Sequence, residues 1–285
     1  MIQSMTGFGK ATLQLPTKKI TVEIKSLNSK GLDLNVRTPS VYREMELGLR
    51  NKIASALERG KIDFSLYIEI TGEETSSKIN VPIVKSYISQ LQEVVNGDAT
   101  ELLKMAVRMP DALKTEREEI DENEWKTIEG VVEKALENII NFRTTEGVAL
   151  EREFLLRIAN ILKLMNETVA LDGERIATVK TRLKTAIEEL SVNVDENRFE
   201  QELIFYLEKY DITEEKVRLE NHLNYFIETL AGKEANGRKL GFITQEIGRE
   251  INTMGSKSNH AQMQKLVVQM KDELEKIKEQ VLNVL

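Results

Sequence analysis

Alternation of apolar and polar positions marks three strands early in the chain. Thr21-Val22-Glu23-Ile24-Lys25, Leu32-Asp33-Leu34-Asn35-Val36-Arg37 and Ile62-Asp63-Phe64-Ser65-Leu66-Tyr67-Ile68-Glu69-Ile70 change character at every residue. That is the pattern of a sheet with one face on a core and the other in water. Between the second and third, Met45, Leu49, Ile53, Ala56 and Leu57 recur at helical spacing behind a Pro39-Ser40 start signal, which predicts a helix over 41–57. The opening segment, 2–15, reads as a further strand, with Gly7 and Gly9 as the place for a bulge or tight bend. Short helices are predicted over 84–95, 99–109 and 122–142.

From about Glu146 the pattern becomes a heptad. Ile158, Ile161, Met165, Ile176, Val179, Leu183, Ala186 and Leu190 mostly step by three and four, which predicts a helix of up to ~45 residues with Gly173 as a candidate break. Val267, Met270, Leu274, Ile277, Val281 and Val284 repeat the seam in the last helix. Such seams need partner helices, from this chain or from another subunit. The fold class is therefore α+β: an N-terminal mixed sheet-and-helix unit, then a mostly α-helical region with long coiled-coil-like helices. The expected division is 1–145, with the sheet and short helices, and 146–285, with the long helices and the candidate site.

Composition narrows the chemistry. With 285 residues, 41% hydrophobic and 31% charged, the chain has the apolar content of a folded protein. It contains no Cys, which removes thiol catalysis, thiolate zinc sites and iron–sulfur clusters. No stretch approaches the ~20 apolar residues of a membrane span, and the N-terminus lacks the pattern of a signal peptide, so the expected location is cytoplasmic with no membrane partner. The net charge of −7 is unevenly spread: +2 over residues 1–75, −8 over 76–210 and −1 over 211–285. A nucleic-acid partner is not excluded, because both ends can carry local basic patches. The sequence has no GxxxxGK[ST], HExxH or GxSxG motif.

Candidate chemistry concentrates between Asp211 and Lys257. On a helix over 211–230, Asp211, Glu215, Arg218 and His222 share an arc of about 60°, bordering the apolar Leu219, Leu223, Phe226 and Leu230. On a second helix, over about 239–255, Glu246, Glu250 and Thr253 border Ile243, Ile247, Ile251 and Met254, with Gln245, Arg249 and Asn252 alongside. Packed together, the two helices would bring Glu215, His222, Glu246 and Glu250 into reach of one another. Carboxylate oxygens with one imidazole suit Mg²⁺ or Mn²⁺. Arg218, Arg238, Arg249 and Lys257 would then meet phosphates. The same spacing also fits surface salt bridges and a structurally satisfied histidine.

Several blocks of sequence carry a resemblance. They are Met1-Ile2-Gln3-Ser4-Met5-Thr6-Gly7-Phe8-Gly9, Glu23-Ile24-Lys25-Ser26-Leu27-Asn28, Arg37-Thr38-Pro39 and Arg59-Gly60-Lys61. The most specific are Asp211-Ile212-Thr213-Glu214-Glu215-Lys216-Val217-Arg218-Leu219-Glu220-Asn221-His222 and Gln245-Glu246-Ile247-Gly248-Arg249-Glu250-Ile251-Asn252-Thr253-Met254-Gly255-Ser256-Lys257. In these the chain resembles, from end to end, the YicC-like family of bacterial endoribonucleases. The resemblance implies a metal-dependent endoribonuclease that cleaves RNA phosphodiester bonds as a homo-oligomeric ring, a homohexamer, with Mn²⁺ or Mg²⁺ as cofactor. On that footing Glu215, His222, Glu246, Arg249 and Glu250 are the expected catalytic residues, and Glu215, His222, Glu246 and Glu250 the metal ligands. Asp211, Glu214 and Arg218 would orient them. Asn28, Arg37, Lys61, Arg238, Lys239, Asn252 and Lys257 would contact RNA. His222 is either a ligand or a general base on a 2′-hydroxyl. A non-catalytic RNA-binding adaptor for another nuclease, and a structural scaffold built on the heptad seams, are the competing classes.

Overall fold

The computed structural model describes residues 2–71, 78–95, 97–114, 122–189, 196–232 and 236–285. The alternating segments form strands β1 (Gly7–Gln14), β2 (Lys18–Leu27), β3 (Leu32–Arg37) and β4 (Gly60–Ile70), in the order β1-β2-β4-β3. β2 runs antiparallel to β1 and β4, whereas β3 joins β4 in parallel. A parallel join needs a crossover. It is supplied by a 3-10 turn, Ser40–Met45, and helix α1, Glu46–Leu57, so the helix expected over 41–57 is split in two.

Alternation puts Ile20, Val22 and Ile24 of β2 and Ile62, Phe64 and Leu66 of β4 on one face, all at most 3% exposed. Leu49, Ile53 and Leu57 of α1 cover that face, together with the first half of the long helix α4. A small unit follows β4. It holds helices α2 (Val81–Val94) and α3 (Ala99–Ala106), and the short strands β5 (Lys78–Ile79) and β6 (Leu113–Lys114) pair beside them.

α4 spans Glu122–Ala170, 49 residues, or ~74 Å at 1.5 Å per residue. The helix expected over 122–142 and the one expected from 146 are thus one continuous helix. No Pro stands between them, and both faces needed for continuity are occupied. Ile128, Val132, Ala135 and Ile139 enter the sheet core, and Phe154, Ile158, Ile161 and Met165 enter a second, helical core.

The glycines of the first strand act differently from the expectation. β1 pairs with β2 in unbroken register from Gly7↔Ser26 to Gln14↔Lys19, with no bulge. Instead β1 lies directly on α4: a Cβ on Gly9 would clash with the Ala135 carbonyl oxygen and sit 2.8 Å from the Ile139 nitrogen. Only a residue without a side chain permits that approach.

Beyond α4 come α5 (Asp172–Glu189), α6 (Glu196–Lys209), α7 (Thr213–Leu230), α8 (Gly237–Lys257) and α9 (Ala261–Val281). The break between α4 and α5 falls at Leu171, two residues before Gly173. The two heptad seams meet different fates. Val267, Met270, Leu274, Ile277, Val281 and Val284 are all at most 4% exposed, against α4 and α8 of the same chain. Ile176, Val179 and Leu183 of α5 are only half-buried and Ala186 is exposed, while Leu190 lies outside the described residues. On α6, Ile204 and Phe205 are exposed. Among the described residues no helix is long and apolar enough to cross a membrane.

The chain ends tie the two cores together. Met5 N donates to Asn283 O at 2.8 Å, Leu285 N donates to Gln3 O at 3.0 Å, and Ile2 is buried in the helical core.

Candidate functional site

α7 is entered through a turn closed by the Asp211 side chain. Asp211 accepts from Thr213 N at 3.1 Å and Thr213 Oγ1 at 2.7 Å, and these bonds hold its carboxyl below the ordinary aspartate range. From that start the helix buries Glu215, Leu219, Leu223, Phe226 and Leu230 on one ridge. Glu215 therefore sits among apolar neighbours, 4% exposed. Lys257, the last residue of α8, reaches it with Nζ 2.7 Å from Oε1. The second oxygen, Oε2, is buried without a hydrogen-bond partner.

This pair fixes the antiparallel register of α7 on α8. Seven residues further along each helix stand His222 on α7 and Glu250 on α8. Glu250 is 5% exposed, and its carboxylate makes no hydrogen bond among the described residues. His222 is half-buried. Glu246, one turn along, is exposed, with Arg249 Nη1 3.9 Å from its Oε2. Glu246, Glu250, Thr253 and Lys257 thus line one face of α8, and Glu215 and His222 line the facing strip of α7.

The four expected metal ligands are not gathered in one chain. Among the described residues no group of three or more His, Asp or Glu side chains is arranged to hold a metal ion. The cause is axial: residues seven apart on a helix are separated by ~10 Å along its axis. Helical spacing puts these donors on one strip but spreads them along it. Carboxylate oxygens are of the kind a hard dication takes, and of the two buried acids Glu215 keeps one oxygen, Oε2, buried without a partner.

The remaining predicted residues divide between two surfaces. Glu214 and Arg218 form an exposed i,i+4 pair. Arg238 and Lys239 open α8, where Lys239 Nζ lies 4.8 Å from the Tyr225 ring centroid, and Asn252 is exposed further along. Asn28, Arg37 and Lys61 are exposed on the sheet unit instead, over a separate core.

One feature of the C-terminal region was not foreseen. Where α8 gives way to α9, Tyr210, Ser256, Ser258, Asn259, His260, Ala261 and Gln264 line an open polar pocket of about 530 Å³. Gln264 Nε2 donates to Gly255 O at 2.6 Å and Ser258 O at 2.8 Å, which fixes the turn, and His260 Nδ1 is buried without a partner. The sequence signal was the polar run Ser256–His260, which overlaps the end of the long motif.

Residues 2–152 match the family model described as "Endoribonuclease YicC-like, N-terminal region", and residues 169–285 match "Endoribonuclease YicC-like, C-terminal". The chain belongs to the YicC-like endoribonuclease family. A protein of Clostridioides difficile named "Probable endoribonuclease YicC" is 32% identical over 293 residues, covering 100% of both chains. A second of that name, from Haemophilus influenzae, is 28% identical over 296 residues, again with 100% of each covered. In this YicC-like chain both matched regions end on α4, the first at residue 152 and the second starting at 169. The N-terminal match holds the sheet, and the C-terminal match holds the α7–α8 strip.

Proposed function

We propose that this chain is a metal-dependent endoribonuclease that works in the cytoplasm as a homo-oligomeric ring, a homohexamer. The observation that carries the reading is the strip on which Glu246, Glu250 and Lys257 of α8 face Glu215 and His222 of α7, with Glu215 Oε2 buried and unpartnered. The family relationship supports RNA as substrate. Glu250, Glu246, Glu215 and His222 would hold Mn²⁺ or Mg²⁺, with a second subunit or RNA phosphate oxygens completing the shell. When bound, the ion supplies Lewis-acid stabilisation of the charge that develops on phosphoryl oxygens. Arg249, exposed beside Glu246, meets the adjoining phosphate. His222 takes the proton of a 2′-hydroxyl if the reaction proceeds by internal attack. The exposed Ile204 and Phe205 of α6 support assembly with other copies.

The test is a labelled RNA incubated with Mn²⁺, Mg²⁺ or EDTA, using the wild type and the double variant Glu246→Gln/Glu250→Gln. Cleavage in the presence of metal, lost in the double variant while RNA is still bound, is the expected result. Cleavage that persists in EDTA or in the double variant overturns the proposal. Products ending in 2′,3′-cyclic phosphate assign His222 the base role, whereas 3′-hydroxyl ends assign attack by water.

A second reading is favoured by the Glu215–Lys257 and Glu246–Arg249 ion pairs, which already tie two of the acids to cations. It is an RNA-binding adaptor for another nuclease, and it predicts RNA binding by the pure wild type with no cleavage under any metal.

A further inference from the structure

We propose that the open face of the four-stranded sheet is a platform for a single-stranded segment of RNA, distinct from the α7–α8 strip. The inference rests on the reading of the chain as RNA-acting and adds the form of RNA and the surface that receives it.

Because α1 and α4 both pack on one face of the sheet, the residues of opposite parity stand free on the other. Register sets them in rows. Phe8, Lys25, Asp63 and Asn35 form one row across β1, β2, β4 and β3. Lys10, Glu23, Ser65 and Arg37 form the next, and Thr12, Thr21 and Tyr67 a third. Phe8 is 42% exposed and Tyr67 is 49% exposed, two aromatic rings left in water on a face whose other exposed apolar side chain is Leu27. Four residues along the strands and two strands across separate them by roughly 17 Å, room for several nucleotides of an extended strand. Between them lies a shallow depression lined by Glu23, Lys25, Arg37, Asp63, Ser65 and Tyr67.

The charges on this face are sorted in a way that suits phosphate. Three of its four acids are engaged: Glu23 with Lys10 at 2.8 Å, Asp63 with the Asn35 amide at 2.9 Å, and Glu69 with Lys19 at 3.7 Å. Lys25, Arg37 and Lys61 are exposed and make no ion pair among the described residues. Two of the acids are thus paired with cations while three cations stay free of ion pairs, within a 75-residue segment of net charge +2 in a chain of net charge −7. Exposed rings among unpaired cations are the makings of a stacking platform, with bases on the aromatics and phosphates on the cations. Stacking requires unpaired bases, because those of a duplex are covered by their neighbours. A duplex would meet only the cations. The apolar side chains exposed on this face are Phe8, Leu27 and Tyr67, too few for the core of a protein interface.

Fluorescence anisotropy of the full chain tests this, in EDTA at ~150 mM salt, with a labelled 12-nucleotide oligouridine and a labelled RNA duplex of the same length. The variants are Phe8→Ala/Tyr67→Ala and Lys25→Gln/Arg37→Gln, each checked for an unchanged thermal melt. The aromatic pair is expected to weaken oligouridine binding at least ~10-fold, in line with the usual loss per stacked base, and to leave duplex binding unchanged. The basic pair is expected to weaken oligouridine binding and flatten its salt dependence. Wild-type affinity of the aromatic double variant for oligouridine overturns the proposal, and so does an equal loss for both RNAs. EDTA separates this outcome from the nuclease reading. Binding through the face in a chain that never cleaves leaves the platform standing, while cleavage with unaltered oligouridine affinity removes the platform alone.

Discussion

Glu273 of α9 offers a direct test of how the helical core is fastened. Its carboxylate accepts from Asn160 Nδ2 at 2.8 Å, Lys276 Nζ at 2.6 Å and Arg157 Nη1 at 3.1 Å, two of these donors being on α4. Burial alone would push the carboxyl up, but the bonds from Asn160, Lys276 and Arg157, with the charge of Arg157, outweigh it and hold the group at about 2 from an ordinary 4.5. Since the folded value is the lower, the resulting stability is fully present above about pH 4.5 and is lost as the pH falls towards 2. At ~1.4 kcal/mol per pKa unit the full effect is at most ~3.5 kcal/mol, and solvent screening of the surface-facing partners reduces it to ~1–2 kcal/mol. Glu273→Gln keeps the size and removes the charge. Urea unfolding followed by circular dichroism at pH 7 should find the variant weaker by ~1–2 kcal/mol. That gap should begin to narrow below about pH 4.5 and close as the pH falls towards 2. A gap that stays constant over the whole range refutes the assignment.

Two further perturbations probe contacts rather than charge. Gly9→Val drives a side chain into the α4 backbone, so it should cost ~3 kcal/mol or more and lower the thermal midpoint by several degrees; an unchanged midpoint would show that β1 and α4 are not in backbone contact. Lys257→Met leaves Glu215 buried with no partner, at a cost of ~3 kcal/mol read from the urea midpoint. The double variant Glu215→Gln/Lys257→Met should recover most of that loss, and a failure to recover would mean that the pair is not what closes the α7–α8 end.

Much of the architecture was legible because it depends on local periodicity. β3 has the bounds its alternation predicts, and the α9 seam is buried along its full length. The extent of α4 was harder to read, because its two halves bury into different cores and the apolar stripe changes neighbours midway. At the site, a helical wheel supplies the angle of each side chain but not its level along the axis. It placed Glu215, His222, Glu246 and Glu250 on facing strips, yet the pairing Glu215 makes is with Lys257, a residue the sequence assigned to RNA.

The N-terminal blocks that resemble the family have a physical role that no spacing argument revealed. Arg143, 1% exposed, stands on α4 between the sheet core and the helical core. Its guanidinium donates to Leu57 O at 3.2 Å, Met5 O at 3.3 Å, Arg59 O at 3.3 Å and Ser26 Oγ. Ser26 Oγ in turn donates to Met5 O at 2.7 Å. Three of the resembling blocks, those containing Met5, Ser26 and Arg59, therefore meet at one buried cation. No carboxylate is bonded to it among the described residues, and burial pulls its pKa below the ordinary value, partly offset by the charge of Glu58. Carbonyl oxygens at strand and helix ends are acceptors that would otherwise be stranded in the interior, so one planar donor with several N–H groups satisfies β1, β2 and the α1–β4 turn at once. These blocks are joints. They hold the sheet at a fixed place on α4, and the second half of that same helix packs against α7 and α9. An RNA strand lying on the open sheet face and a phosphodiester on the α7–α8 strip would be related through a single helix, which makes the distance between them a property of the fold.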